Sequence, residues 1–161
     1  MTAVVSDTSP INYLCLIEAI EVLPRLFDEV LIPPAVFAEL RHPRAPRAVS
    51  DWLDNLPSWA KIQAPLVLLP GMELDPGETE AISLALELEL PAILIDERAG
   101  SLAAQQRGIA PIGTLNILVS ADTRGFLNFE QAVERLRSTN FHINESLLNA
   151  VLEEVRARKK L

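Results

Sequence analysis

The chain is short of several things, and each shortage excludes a class of protein. With a single cysteine, Cys15, it has no intrachain disulfide. That cysteine sits in the apolar run Tyr13-Leu14-Cys15-Leu16-Ile17, which reads as core rather than as a reactive thiol. The two histidines, His42 and His142, are far apart and isolated, so there is no His/Cys cluster of the kind that holds zinc. Lysine occurs only at Lys61, Lys159 and Lys160, and the net charge is -8. Such a chain lacks the cationic surface that coats nucleic acid through many phosphate contacts. No apolar run approaches the roughly 20 residues needed to cross a bilayer. A basic, apolar, small-residue leader is also missing at the N-terminus, so the expected location is the cytoplasm, away from any membrane.

What is present is a chain of 161 residues, 49% of them apolar, a comfortable size for one domain with a substantial core. We read residues 1–161 as a single domain, with a core over about 1–125 and a C-terminal helical extension over about 126–161. Ala3 to Ser6 form a short β-branched run ending at Asp7, the pattern of a buried strand that delivers a carboxylate at its tip. Thr8 or Ser9 is then expected to cap a helix, with Pro10 in its first turn. A second strand is expected at Glu29 to Ile32, followed by a helix carrying Glu39. The segment Arg41 to Arg47 (RHPRAPR) is too rich in proline to continue that helix and reads as a basic surface loop.

A short amphipathic helix near Val49 to Leu56 and an edge strand at Trp59 to Gln63 come next. Trp52 and Trp59 read as packing residues. Asp75-Pro76-Gly77-Glu78 resembles a capping box, with Asp75 as cap and Glu78 reaching back, opening a helix that runs to about Leu90. The strand Ala92 to Ile95 again ends on an acid, Asp96. A helix over Arg98 to Arg107, stopped by Gly108, leads to a fifth strand at Ala110 to Ile112 and a helix opening at Gly113-Thr114. Two further helical patterns, joined near Asn140 to Asn144, complete the chain. Strands alternating with helices predict an α/β fold: a mostly parallel sheet of about five strands between helical layers.

In such sheets ligands bind beyond the carboxyl ends of the strands, where Asp7 and Asp96 both fall. If their strands are neighbours, the two carboxylates repel unless a cation or proton lies between them. Oxygen donors without His or Cys favour Mg2+ or Mn2+. Glu39 and Glu80 are helical acids that can complete the set. Glu78 and Glu80, two positions apart on a helix, are rotated by about 200° and cannot face one pocket together. The cap assigns Glu78 elsewhere and leaves Glu80 as the third acid.

Five segments carry a family likeness: Asp7-Thr8-Ser9-Pro10, Val36-Phe37-Ala38-Glu39-Leu40, Gly77-Glu78-Thr79-Glu80-Ala81-Ile82, Leu94-Ile95-Asp96-Glu97-Arg98 and Ile112-Gly113-Thr114-Leu115. In order and spacing they resemble the PIN-domain family, and within it a prokaryotic branch related to the toxin ribonucleases of type II toxin–antitoxin modules. The resemblance implies a PIN-like three-layer sandwich and a metal-dependent endoribonuclease that hydrolyses RNA phosphodiester bonds with Mg2+ or Mn2+. Its catalytic and metal-binding acids would be Asp7, Glu39, Glu80 and Asp96, supported by the hydroxyls of Thr8, Ser9 and Thr114. Glu78 replaces Glu80 if it does not serve the cap. Arg41, Arg44 and Arg47, directly after Glu39, are the candidates for flanking RNA phosphates. The resemblance also implies a homodimer and a small antitoxin protein that plugs the acidic pocket with a basic side chain. The C-terminal helices resemble the family least, and no acid follows the fifth strand.

Competing readings fail on particular residues. A haloacid-type phosphatase needs a second Asp two residues after the first, where this chain has Ser9; a receiver domain needs a Lys after the fifth strand, where none stands. The alternative that survives is a non-catalytic module of the same fold that binds nucleic acid or protein with weak or no nuclease activity.

Overall fold

The three central strands are buried almost along their length, as a parallel sheet covered on both faces requires. The computed structural model describes residues 2–160. Its elements are β1 (Ala3–Ser6), α1 (Thr8–Leu16), a 3-10 turn (Ile20–Val22), α2 (Leu23–Leu26), β2 (Glu29–Ile32), α3 (Pro34–Leu40), α4 (Arg47–Asp54) and β3 (Ala60–Ile62). Then come α5 (Pro76–Glu87), β4 (Ala92–Leu94), α6 (Arg98–Gln106), β5 (Ala110–Ile112), α7 (Thr114–Thr123), α8 (Phe129–Arg137) and α9 (Glu145–Lys159). The five strands are all parallel, in the order β3-β2-β1-β4-β5. The order reverses at β1, so β1 and β4 sit side by side and the crevice beyond their carboxyl ends is the switch point where such sheets bind ligands.

Two cores flank this sheet, because neighbouring strand residues point to opposite faces. Val4, Val30, Ile32 and Leu94 pack with α1, α4, α7, α8 and α9 on one side. Val5, Leu31 and Ile93, with Ile95 just past β4, pack with α5 and α6 on the other. Together these make the three-layer PIN-like sandwich expected. The likeness to the sequence reading is close, down to Gly108, whose φ of +79° ends α6 where the chain must turn left-handed. Trp52 and Trp59 do pack on each other, ring centres 5.8 Å apart, against the first core.

Two local expectations are corrected. Neither Thr8 nor Ser9 caps α1: Asp7 holds the N-cap position and Thr8 is already helical, which frees both hydroxyls for distant acids. The capping box at α5 is half formed. Asp75 accepts the Glu78 amide at 2.8 Å as expected, but the Glu78 side chain is buried beneath Gly100 instead of reaching back to the cap amide. A carboxyl that finds a place under a glycine and beside a second carboxyl has left the helix end for the sheet edge.

The extension is tied to the core by one buried acid. Asp122, at the end of α7, accepts from the Phe129 amide at 2.7 Å, from Arg158 at 3.1 Å and from Lys159 at 2.9 Å. Burial alone would raise its pKa, but Lys159, the Phe129 amide and Arg158 outweigh burial and hold the carboxyl below its ordinary value. Two basic residues in the last turn of α9 are thereby spent on clamping it to α7. Cys15 is buried as expected, and burial pushes its thiol up to about 12.

Candidate functional site

Asp7 is delivered by β1 and fixed by its own backbone, whose N–H donates to the Leu94 carbonyl of β4 at 2.8 Å. Only 4% of the residue is exposed. Burial is the main reason its carboxyl is pushed up to about 7; the Thr8 amide opposes this, and the negative charges of Asp75, Glu39 and Glu97 add to it. Glu39 reaches the same place from α3. Its Oε2 accepts the Thr8 hydroxyl at 2.8 Å. A Cβ on Gly77, in the first turn of α5, would lie 3.2 Å from Glu39 Oε2 and 3.4 Å from Asp7 Oδ1. The missing side chain is therefore what leaves room between the two carboxylates.

Glu78 follows Gly77 into this neighbourhood. Its Oε2 is buried without a hydrogen-bond partner. Burial first, then a hydrogen bond shared with the Asp75 carboxyl and the charges of Asp75 and Asp7, push the Glu78 carboxyl up to about 7. Glu80 points elsewhere, accepting the Ala35 amide at 3.0 Å. It supplies the acceptor that the start of α3 lacks, since Pro33 at that N-cap has no side chain able to accept. The rotation between Glu78 and Glu80 separates them as expected, with the opposite outcome: Glu78 turns to Asp7 and Glu80 to a helix terminus.

Asp96 stands two residues beyond Leu94, the last residue of β4, the strand next to β1. Its Oδ1 accepts the Thr114 amide at 2.7 Å, and its Oδ2 accepts the hydroxyls of Thr114 and Ser9, each at 2.7 Å. The three hydroxyls singled out in the sequence thus all serve acids: Thr8 on Glu39, Ser9 and Thr114 on Asp96. Asp96 also lines a cleft of about 650 Å³ whose far wall is the C-terminal segment Asn140 to Leu147. His142, read as isolated from sequence, lines that cleft. Tyr13 crosses it, donating to Asn140 Oδ1 at 2.8 Å. Burial, then the charges of Asp96 and Glu97, raise its hydroxyl above the ordinary value and keep it a donor.

No ion pair of the described residues involves Asp7, Glu39, Asp75, Glu78, Asp96 or Glu97. The basic loop goes its own way. Arg41 pairs with Asp54 at 3.0 Å and lies over Phe37, and Arg47 pairs loosely with Asp51 at 3.8 Å, while Arg44 has no ion-pair partner among the described residues.

A family model described as a PIN domain matches residues 3–157. The chain belongs to the PIN-domain family. No curated protein and no solved structure matches it. PIN domains are generally nucleases that use divalent metals. Among the described residues of this PIN domain, no three His, Cys, Asp or Glu side chains are gathered closely enough to hold one ion. Their donor chemistry nevertheless fits a hard cation: every group is a carboxylate, one oxygen of Glu78 is buried without a partner, and Gly77 leaves a space beside Asp7 and Glu39. Crowded carboxyls are stabilised by hydroxyl and amide donors or by protons; Glu39 and Asp96 are held by such donors, while Asp7 and Glu78 are pushed up to about 7.

Sequence reasoning kept Glu78 only as the substitute for Glu80, and missed Asp75 and Glu97 as neighbours of Asp7. For Glu78 the signal was present in Gly77, a glycine in a first helical turn beside two acids, where backbone room rather than helix propensity is wanted. The cleft residues of the C-terminal segment had no local signal, since they reach the sheet edge only through the return of α9.

Proposed function

We propose that this PIN domain is a Mg2+- or Mn2+-dependent endoribonuclease in which Asp7, Glu39, Glu78 and Asp96 form the metal-binding and catalytic acids. The observation that carries the reading is the acidic edge itself: carboxyls at the switch point, unpaired with any Lys or Arg, two of them pushed up to about 7. A bound divalent cation supplies the positive charge that phosphodiester hydrolysis needs at the phosphate and at the attacking water.

The chain's own groups have separable tasks. Asp7, held rigid by Leu94 and burial, is the central anchor, and Asp96 is aimed by Thr114 and Ser9. Glu78 holds a proton near neutral pH that it gives up when positive charge arrives. Glu39 is exposed and bonded through one oxygen, which leaves its other oxygen to take a proton from water. Glu80 acts as a positioning residue, fixing the start of α3 and through it Glu39. Arg44, and in a rearranged complex Arg41 and Arg47, bind flanking phosphates.

The finer identity we propose is a toxin-like ribonuclease working in the cytoplasm as a homodimer, restrained by a small antitoxin whose basic side chain enters the acidic edge. Among the described residues, no helix is long and apolar enough to cross a membrane. A second reading, a non-catalytic binding module, is favoured by one observation: no three acids are gathered as they stand.

Calorimetric titration with Mn2+ and cleavage of unstructured RNA separate the two. We expect saturable Mn2+ binding and metal-dependent cleavage by the wild type, with both lost in Asp7→Asn. Absence of Mn2+ binding selects the binding module, and equal cleavage by wild type and Asp7→Asn rejects the assigned site.

A further inference from the structure

The cleft beside Asp96 has a composition unlike the acidic edge it adjoins. Its far side presents carboxamides, an imidazole and an aromatic ring: Asn116 from α7, and Asn140, Phe141 and His142 from the segment before α9. Asn140 spends its Oδ1 on the Tyr13 hydroxyl, which fixes the side chain, and its two amide N–H donors have no partner among the described residues. Among the described residues, neither the Asn116 carboxamide nor the His142 imidazole has a hydrogen-bond partner. The Phe141 ring is only half-buried and is braced edge-on by Tyr13, centres 4.9 Å apart at 76°.

Unpaired, pre-positioned neutral donors and acceptors around an aromatic ring suit a planar, uncharged polar group. They suit a phosphate or a peptide cation poorly. A cleft of about 650 Å³ also has the size of a nucleotide-binding pocket. Single-stranded RNA is read in this manner, with unstacked bases placed on aromatic rings and hydrogen-bonded at their edges.

We propose that this cleft is a nucleobase-reading subsite: the base next to the phosphate at Asp96 enters it, stacks on Phe141, and is discriminated by Asn116 and Asn140. The inference rests on the nuclease reading of the acidic edge. It gives the C-terminal extension a task, since the segment that carries Asn140 and Phe141 is held in place by α9. Sequence preference is then set by residues outside the acids that cut.

The test uses fluorescein-labelled octamers of adenosine, cytidine and uridine ribonucleotides, titrated by anisotropy into the full chain in EDTA, so that binding is read without cleavage. We expect the wild type to bind one octamer at least about fivefold more tightly than another, the discrimination a bidentate base contact supplies. Combining Asn116→Ala with Asn140→Ala should shrink that spread to within about twofold. Phe141→Leu, which preserves the packing, should weaken all three by about tenfold through lost stacking. In Mn2+-supported cleavage, the double variant should raise KM for the preferred sequence and leave kcat unchanged, with the thermal midpoint of the exposed-residue variants unaltered.

A wild type without preference among the octamers, or an undiminished spread in the double variant, overturns the inference. The two readings fail separately. If Asp7→Asn cuts like the wild type, the assignment of the acids falls while the binding spread still reports on the cleft; if Asp7→Asn is dead and the spread survives the double variant, only the cleft assignment falls.

Discussion

Thr114 grips Asp96 twice, its amide on Oδ1 and its hydroxyl on Oδ2, both at 2.7 Å. Two bonds from one residue, the first of α7, fix both the position and the rotation of the carboxylate. Thr114→Val keeps the amide bond and the shape but removes the hydroxyl. Outer-shell partners of ligating carboxylates are typically worth about 10- to 100-fold in metal affinity. We expect Mn2+ affinity to fall within that range in Thr114→Val and to recover in Thr114→Ser, read by calorimetry.

Glu78 and Glu80 make a paired test of which helical acid serves chemistry. Glu78→Gln should abolish metal-dependent cleavage while leaving the protein at least as stable near pH 7, because glutamine mimics the protonated form that burial already favours. Glu80→Gln keeps an oxygen for the Ala35 amide but loses the charge that suits a helix N-terminus, a cost of about 0.3–1 kcal/mol. Its cleavage should stay within about tenfold of wild type, the effect of a positioning residue being smaller than that of the acid itself. The reverse ranking in a single-turnover assay would return the role to Glu80.

Gly77 allows the metal site and the fold to be pulled apart. An alanine there gains helix propensity of roughly 0.5–1 kcal/mol. The added methyl would sit 3.2 Å from the carboxylate of Glu39, an exposed side chain that can swing aside at little cost to the fold. That movement spoils the space beside Asp7. Gly77→Ala should therefore fold as well as wild type or better by thermal melting, and show little or no Mn2+ binding in the same sample.

Much of this was legible in the chain, for identifiable reasons. The short strands are fully buried, so they read as β-branched runs, and each acid at their ends marked the carboxyl edge before any coordinates. The strand ends put Asp7 and Asp96 at that edge, and the family likeness adds the hydroxyls of Thr8, Ser9 and Thr114, which bond to Glu39 and Asp96. Glu78 was assigned to its helix cap because the local rule predicts a bond to an adjacent amide. Burial under Gly100, a residue of α6, outcompeted that bond, and no local pattern announces a partner so distant. The cleft residues were equally invisible, since only the clamp of α9 on Asp122 returns them to the sheet edge.

The two raised carboxyls set a pH dependence whose sign is fixed. Folding lifts Asp7 from 3.8 and Glu78 from 4.5, each to about 7, so the folded state holds protons more tightly than the unfolded chain. This contribution is complete below the unfolded values and is lost as pH rises through the folded values near 7. In EDTA the melting temperature should fall between pH 4.5 and 7.5. Asp7→Asn and Glu78→Gln should each flatten the decline, and saturating Mn2+ should offset it at the upper end. A melting temperature that rises over this interval in both EDTA and the variants contradicts the assignment.

Asp122 carries the extension. Asp122→Ala strands the Phe129 amide in a buried position and frees Arg158 and Lys159, which are partly exposed and readily hydrated. The cost should be about 1–3 kcal/mol, most of it from the unpaired amide. Asp122→Asn, able still to accept from Phe129, should cost less. Hydrogen exchange should localise the loosening to α8 and α9 while β1 and β4 stay protected.

The placement of β1 at the middle of the sheet has a consequence for synthesis. The first strand to leave the ribosome waits, with one side unpaired, until β4 follows it some 85 residues later. Asp96 and its Thr114 anchor arrive later still. A truncated or half-made chain thus carries Asp7 without the partners that orient the remaining acids, and the acidic edge is assembled only once α7 has been made.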